Sequence, residues 1–368
     1  MGDGTKESPL TREDVLRLIQ GNGGTAAGLN LSGKIFQVGI DLGTLDLRGI
    51  ILRGATLVSA RLERAYLENA RLERAILEDA HLEGAYLSGA RLEGATLFNA
   101  HLEGAYSSNA HFEGAILVGA RLERADLGDA HLEGAFLPGA HLKGAKLGGA
   151  RLERADLGGA HLEGAYLSGA EFSPDTKLED ADWGNHILGE EKAGDLYPAS
   201  HTYRRLKQWH TNAGMYDRAG EFFFREMEAR RKNYWWGSSQ RKPFRDLFHP
   251  FKPKNLLRAL FPRKPFPWVW STLLSSLCGY GERPLRAVIS AVVVVSGLAA
   301  AYYFWGSFSS SSPWDTLYYS VVSFVSLGYG RWAPQPSGWV KGVGAAEAFI
   351  GFFIMALFLI TFTRKMTR

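Results

Sequence analysis

The sequence predicts a modular chain: a β-solenoid of five-residue turns, a helical and basic middle, and an α-helical membrane part with two spans. Three observations predict it. Alanine occupies every fifth position from Ala55 to Ala170, 24 in a row, and the residue two places after each is Leu 21 times, Phe at Phe112 and Phe172, and Ser only at Ser107. Charge is divided: residues 40–178 carry 14 Lys/Arg against 20 Asp/Glu, a net of −6, so with +4 overall the rest carries +10. All ten Trp lie after residue 182, and the long uncharged runs lie after residue 286.

The N-terminal residues 1–26 form the first element. Thr11-Arg12-Glu13-Asp14 leads Val15, Leu16, Leu18 and Ile19, the pattern of an N-capped helix, expected to lid the open end of the solenoid. Residues 27–178 then carry the repeat. Five steps of about 100° around a helix rotate each Leu by about 140°, so no stripe forms. A straight strand would send successive Leu to opposite faces. A chain that turns a corner every five residues keeps every Leu inside, which makes a solenoid. Corner-tolerant residues precede the alanines (Asn69, Asp79, Gly84, Gly94, Gly104).

With units such as Ala85-Tyr86-Leu87-Ser88-Gly89, residues Ile40 to Phe172 resemble the pentapeptide-repeat family. The resemblance implies a right-handed quadrilateral β-helix, four repeats per 20-residue coil, here six to seven coils, with Leu, Phe and Ala inside. Residues Ala27–Val38 read as a frayed start. At that coil length Arg61, His81, His101, Arg121, His141 and His161 stack in one column beside Glu63, Glu83, Glu103, Glu123 and Glu163. Two readings of the column stand: a pH-sensing ladder of clustered imidazoles, or a solvated face of mixed charge. A net of −6 diluted by 14 cations does not suit a mimic of nucleic acid, and no nucleic-acid partner is expected.

Residues 179–240 read as a helical hairpin. Tyr203, Leu206 and Trp209 keep helical spacing, Asn212-Ala213-Gly214 interrupts, and Ala219, Phe222, Phe223 and Met227 resume it, with Glu221/Arg225 and Glu226/Arg230 paired at i,i+4. It serves either as a coupling or oligomerisation module or as a packed spacer. No catalytic constellation appears, since His201 and His210 lack a nucleophile or a metal-spaced partner, so no enzyme is expected. The lone Cys278 excludes a disulfide framework and a cysteine-based zinc site. Residues 241–285 mix Lys/Arg with Pro and aromatics, and the uncharged stretch Trp268 to Tyr280 is too short to span. This segment reads as a juxtamembrane region lying on anionic lipid.

The last element is residues 286–368. Ala287 to Trp305 is 19 residues without a charge, and Trp339 to Thr363 is 25 residues broken only by Lys341 and Glu347. The polar N-terminus is unlike a signal peptide. Arg283 and Arg286 precede the first span and Arg364, Lys365 and Arg368 follow the second, which places both chain ends in the cytoplasm. Between the spans, Pro313-Trp314-Asp315 starts a helix that Thr316 to Val325 continues, followed by Ser326-Leu327-Gly328-Tyr329-Gly330. Irregular backbone at membrane depth is tolerated where it lines a cavity, and alternate glycines let successive carbonyls face one side.

These residues resemble the two-transmembrane potassium-channel pore, whose filter reads T-x-G-Y-G. The resemblance covers about residues 286–368. It implies a homotetramer in a bacterial-type inner membrane, with Ser326, Leu327, Gly328, Tyr329 and Gly330 as the selectivity filter. It also implies Tyr318 and Tyr319 as its support, permeant K⁺ as the metal with no other cofactor, and Gly351 at the hinge position, where two readings stand: a hinge, or a residue that permits close helix packing. Gly279-Tyr280-Gly281 also reads GYG, but it stands before Glu-Arg-Pro and is expected to be a turn. Arg331 departs from the aspartate common at the outer mouth. One unit of charge at about 8 Å and an effective ε near 40 costs a cation about 1 kcal/mol, so low conductance is expected. Glu347 is an intramembrane acid that needs a partner, with the loop (Arg331 included) and the pore helix as candidates. Two alternatives stay open: a non-selective cation channel, and a membrane-anchored β-helix scaffold for a protein partner.

Overall fold

The computed structural model describes residues 2–236, 272–277, 279–305, 312–325 and 338–366. Expectations for Ser326 to Gly330, Arg331, Cys278 and most of the basic segment lie outside the described residues. The chain divides into two compact units, residues 1–214 and 215–368.

The first unit opens with α1 (Arg12–Gly21), which has the expected cap. Asp14 N–H donates to the Thr11 hydroxyl at 3.3 Å and Thr11 N–H donates to the Asp14 carboxylate at 3.2 Å. Just before it, Leu10 bridges Phe36 and is buried, as is Val15 within the helix, so this segment closes the first coil.

From Asn30 to Asp182 the chain is a ladder of isolated parallel bridges, nearly all joining a residue to one 20 places on: Arg61 to His81, Tyr66 to Tyr86, Arg71 to Arg91, Ile76 to Thr96. Each bridging residue makes two ladder bonds. His81 N–H donates to Ala60 O at 2.9 Å, and Leu62 N–H donates to His81 O at 2.7 Å. Corners close by bonds such as Ala65 N–H to Leu62 O at 3.0 Å. One residue per corner takes a left-handed backbone, φ 63° at Gly84 and 57° at Asn69, which is why glycine, asparagine and aspartate recur there. Every side is a single bridging residue, and no extended strand occurs among the described residues. The repeat alanines and leucines are buried throughout, forming a continuous apolar column.

The coils extend further than the sequence boundary of 178. Asn30 bridges Ile51 and Ile35 bridges Thr56, an offset of 21 that absorbs one extra residue before Asp41. At the other end Asp156 bridges Lys177 and His161 bridges Asp182, again 21 apart, because Ser173-Pro174-Asp175 adds a residue. The span from Asn30 to Asp182 makes about eight coils, close to 40 Å of stack. α2 (Gly189–Ala193) and α3 (Leu196–Asn212) close this end. Leu188, Trp183, Tyr203 and Leu206 are buried there, and Gly189 N–H continues the ladder to Ala165 O at 2.9 Å.

The region read as one helical hairpin is therefore divided. α3 completes the first unit, whereas α4 (Tyr216–Trp236) belongs to the second. There α4 meets the entrance to the membrane part: Ser275 donates to Glu228 at 2.5 Å, and Arg283 pairs with Glu221 at 3.1 Å and lies 4.3 Å over the Phe224 ring. Gly279–Gly281 is a tight turn with Tyr280 left-handed at φ 56°, as its setting predicts. Three helices follow: α5 (Pro284–Trp305), α6 (Pro313–Val325) and α7 (Trp339–Met366). α5 and α7 are long and apolar enough to cross a membrane.

Candidate functional site

α6 packs between α5 and α7 through two clusters. At one end Tyr302, Tyr319 and Val340 meet, with Leu298 and Val343 around them; Tyr302 and Tyr319 stand edge to face at 5.3 Å. At the other end Phe324 packs on Ala287 and Ile354, with Val294 and Val295 beside it. The first cluster lies where α5 ends and α7 begins. The second runs along α5 from Val295 back to Ala287 in its first turn, and lies near the middle of α7: Gly351, which touches Phe324, is 11 residues from Val340, or about 17 Å at 1.5 Å per residue. α6 thus enters from the loop end and stops about halfway along α7, a helix of hydrocarbon-spanning length. Its C-terminal carbonyls carry the negative end of the helix dipole at that depth, a place suited to a cation.

Gly351 makes this depth reachable. A Cβ there would overlap the Phe324 carbonyl oxygen, so only glycine lets α7 pass the end of α6. Of the two sequence readings of Gly351, the close packing is seen in this structure, within an unbroken helix.

Glu347 is fully buried on α7, one turn before Gly351. Tyr302 of α5 donates to its Oε2 at 2.8 Å, and the Ser320 hydroxyl of α6 contacts its Oε1 while also lying 3.0 Å from Val295 O. One carboxylate therefore joins all three helices. Its partners are a serine of α6 and a tyrosine of α5; Arg331, the other candidate, lies outside the described residues. Of the two tyrosines read as supports, Tyr319 is buried in the interhelical cluster, and Tyr318 faces away, 45% exposed, beside Trp314 and Val321. Exposed apolar side chains remain along α5 (Ile289, Val292, Val293) and α7 (Phe349, Phe352, Leu359, Ile360), surface for lipid or for further helices.

A family model described as ion channel matches residues 289–368, and eight copies of the pentapeptide-repeat model match residues 39–74, 75–106, 108–144 and 145–173. HetL, a solved pentapeptide repeat protein involved in heterocyst differentiation regulation in the cyanobacterium Nostoc sp., is 31% identical over 47% of this chain and 94% of its own, with a TM-score of 0.27. The chain belongs to the pentapeptide-repeat proteins and carries an ion channel domain. A pentapeptide repeat protein from the Arabidopsis thaliana thylakoid lumen is 29% identical over 36% of this chain and 72% of its own, TM-score 0.19. Rfr23 from the cyanobacterium Cyanothece is 24% identical over 46% and 97%, TM-score 0.17. No curated protein matches the chain.

Within the ion channel domain, sequence reasoning singled out Glu347 but missed Ser320 and Tyr302, which hold it. Ser320 carried a faint signal, since Thr316, Ser320 and Ser323 put hydroxyls on one face of an otherwise apolar helix. Within the pentapeptide-repeat domain it missed Glu190, whose buried carboxylate accepts from Leu167 N–H at 2.6 Å and so satisfies a ladder donor at the open end. No pattern announces that role, because the acid stands outside the repeat.

On the outer faces the predicted columns form. His81 stacks on His101, His111 on His131 and His141 on His161, with ring centroids 4.7, 4.5 and 4.8 Å apart. Arg and Glu interleave with them: Arg121 pairs with Glu103 at 2.9 Å and Arg151 with Glu133 at 2.9 Å.

Proposed function

We infer that this ion channel is a tetrameric cation channel conducting potassium, lying in a bacterial-type inner membrane with both chain ends in the cytoplasm. The pentapeptide-repeat domain serves it as a regulatory or assembly element, and the basic segment before the first span lies on anionic lipid. One observation carries the reading. The re-entrant α6 ends about halfway along α7 and is followed directly in sequence by Ser326-Leu327-Gly328-Tyr329-Gly330. A chain leaving a helix at that depth needs partners for its backbone, and carbonyls turned to a shared axis would replace the water of a dehydrated cation. One such segment offers too few oxygens, and each chain has one, so several chains must contribute. Arg331 beside the filter is expected to lower conductance.

The test is flux of K⁺ and of Na⁺ into liposomes holding the full chain. K⁺ flux well above Na⁺ flux, lost in Gly328→Ala while the protein still inserts and assembles, is the expected result. Equal fluxes would replace the potassium reading with a non-selective pore. No flux of either ion, with Gly328→Ala indistinguishable from the native chain, would leave the membrane-anchored scaffold.

A further inference from the structure

The outer columns place two imidazoles and one carboxylate together twice. His81, Glu83 and His101 form one group and His111, Glu113 and His131 the other, and in each the three ligand atoms lie within 4.8 Å of one another. In the first, the Nδ1 atoms of His81 and His101 lie 3.1 and 3.8 Å from the same Glu83 Oε1. In the second, those of His111 and His131 lie 3.1 and 3.7 Å from Glu113 Oε1. Ligands at 2.0–2.1 Å around a tetrahedral zinc stand about 3.3 Å apart, so these separations bracket what a bound ion requires. We propose that each group is a binding site for a first-row divalent cation such as Zn²⁺, two imidazole nitrogens and one carboxylate oxygen serving as ligands with water completing the shell.

Three features favour a cation over a simple hydrogen-bonded cluster. The first is charge. Among the described residues the other glutamates of these columns that form ion pairs have an arginine partner, as Glu73, Glu93, Glu103, Glu123 and Glu133 do, whereas the ion pairs of Glu83 and Glu113 are to imidazoles alone. A divalent ion brings charge to that carboxylate and uses the imidazole lone pairs; Glu113 also feels the Arg91 guanidinium, so Glu83 has the greater need of it. The second is stiffness. Each histidine is a ladder residue fixed by two backbone bonds, so its Cβ is presented at a spacing set by the coil, and the stacked rings need only turn about their side-chain bonds for both lone pairs to meet one ion. The third is chemistry: a nitrogen-rich set with one carboxylate suits Zn²⁺, Ni²⁺ or Cu²⁺ better than Ca²⁺ or Mg²⁺.

The chain also contains its own control. His141 stacks on His161 in the same manner, but Lys143 stands where Glu83 and Glu113 stand in the other two pairs. An ammonium in that place repels a cation, so the two imidazoles of this pair share no site; His161 instead gathers with Glu163 and Asp182, one imidazole with two carboxylates. The two sites also differ from each other, because the Arg151 guanidinium lies 3.5 Å from His131 Nδ1 and competes for that nitrogen. The site of His81, Glu83 and His101 is therefore the tighter one. The 20-residue coil already placed His81, His101 and Glu83 in one column, but only the side-chain distances show that three ligand atoms gather within reach of one ion.

The test is calorimetric titration of Zn²⁺ into the full-length protein in detergent near neutral pH. The native chain is expected to bind Zn²⁺. H81N/H101N should remove the tightest equivalent, weakening it about tenfold or more, and H111N/H131N should leave that one and remove a weaker equivalent. Lys143→Glu should add an equivalent that vanishes again when His141 is also replaced, a gain that no folding defect can imitate. Absence of Zn²⁺ binding by the native chain, unchanged stoichiometry in both double variants, or no added equivalent in Lys143→Glu would overturn the assignment.

Discussion

At the scale of single residues, the outliers of the repeat carry most of the information. Ser107 puts a buried hydroxyl where leucine otherwise fills the column, and nothing in the structure explains it. Glu190 is different, because the structure shows both its task and its cost. Burial raises its carboxyl above the ordinary glutamate range, while the hydrogen bond from Leu167 N–H pulls the other way. Since the folded chain holds this proton more tightly than the unfolded chain, Glu190 favours folding most at pH below the unfolded carboxylate value. That contribution is lost as pH rises through the window between the unfolded and the raised folded value. Glu190→Gln keeps an oxygen for Leu167 and carries no charge. It should therefore melt at a higher temperature than the native chain near neutral pH and lose that advantage in acid. Thermal unfolding at about pH 4 and about pH 7 checks it; a constant gap between the two proteins would show that the carboxylate's charge is not the cost.

At the scale of elements, legibility followed the kind of force at work. The solenoid was readable because its core is local: each Leu is buried by a rule that repeats every five residues, and the structure buries that series, Ser107 included, up to its last member, the half-buried Phe172. The spans were readable because lipid imposes length and apolarity. What failed to show were contacts joining distant segments. Nothing in residues 179–240 reveals that α3 completes the solenoid while α4 meets Ser275 and Arg283. The Glu347 network failed for the same reason, its members lying 27 and 45 residues apart. That network is a polar tie of α5, α6 and α7, and it holds α6 close to its C-terminal end. Glu347→Ala removes the acceptor for Tyr302 and the partner of Ser320, and is expected to cost about 1–2 kcal/mol of helix packing. Glu347→Gln, which keeps both contacts, should cost less. Unfolding in detergent measures both, and an alanine variant as stable as the glutamine one would show that the network does not hold the helices together.

At the scale of the whole molecule, the chain combines two solvents' rules: a water-facing stack whose interior is closed by capping segments, and a helix trio whose exterior is apolar. The stack depends on its ends more than its length suggests, because every coil buries its leucines only against the next. The last coils end in open ladder groups and exposed leucine edges unless something covers them. Here the cover is Trp183 and Leu188, the Gly189 N–H that bonds Ala165 O, and the Glu190 carboxylate that takes Leu167 N–H, with Tyr203 of α3 donating to Glu191 at 2.7 Å behind them. A fragment of residues 1–214 retains all of these and matches a compact unit, so it should be soluble and monodisperse and unfold in one cooperative transition. A fragment ending at residue 178 keeps the complete alanine repeat but exposes the column and the unpaired ladder edge. It should melt lower and associate through that edge in a concentration-dependent way, as an uncovered sheet edge does. Light scattering and thermal unfolding of the two fragments separate the outcomes. If the shorter one were equally stable and monodisperse, the residues from Trp183 to α3 would be a passive connection, and the repeat alone would account for the stability of the stack.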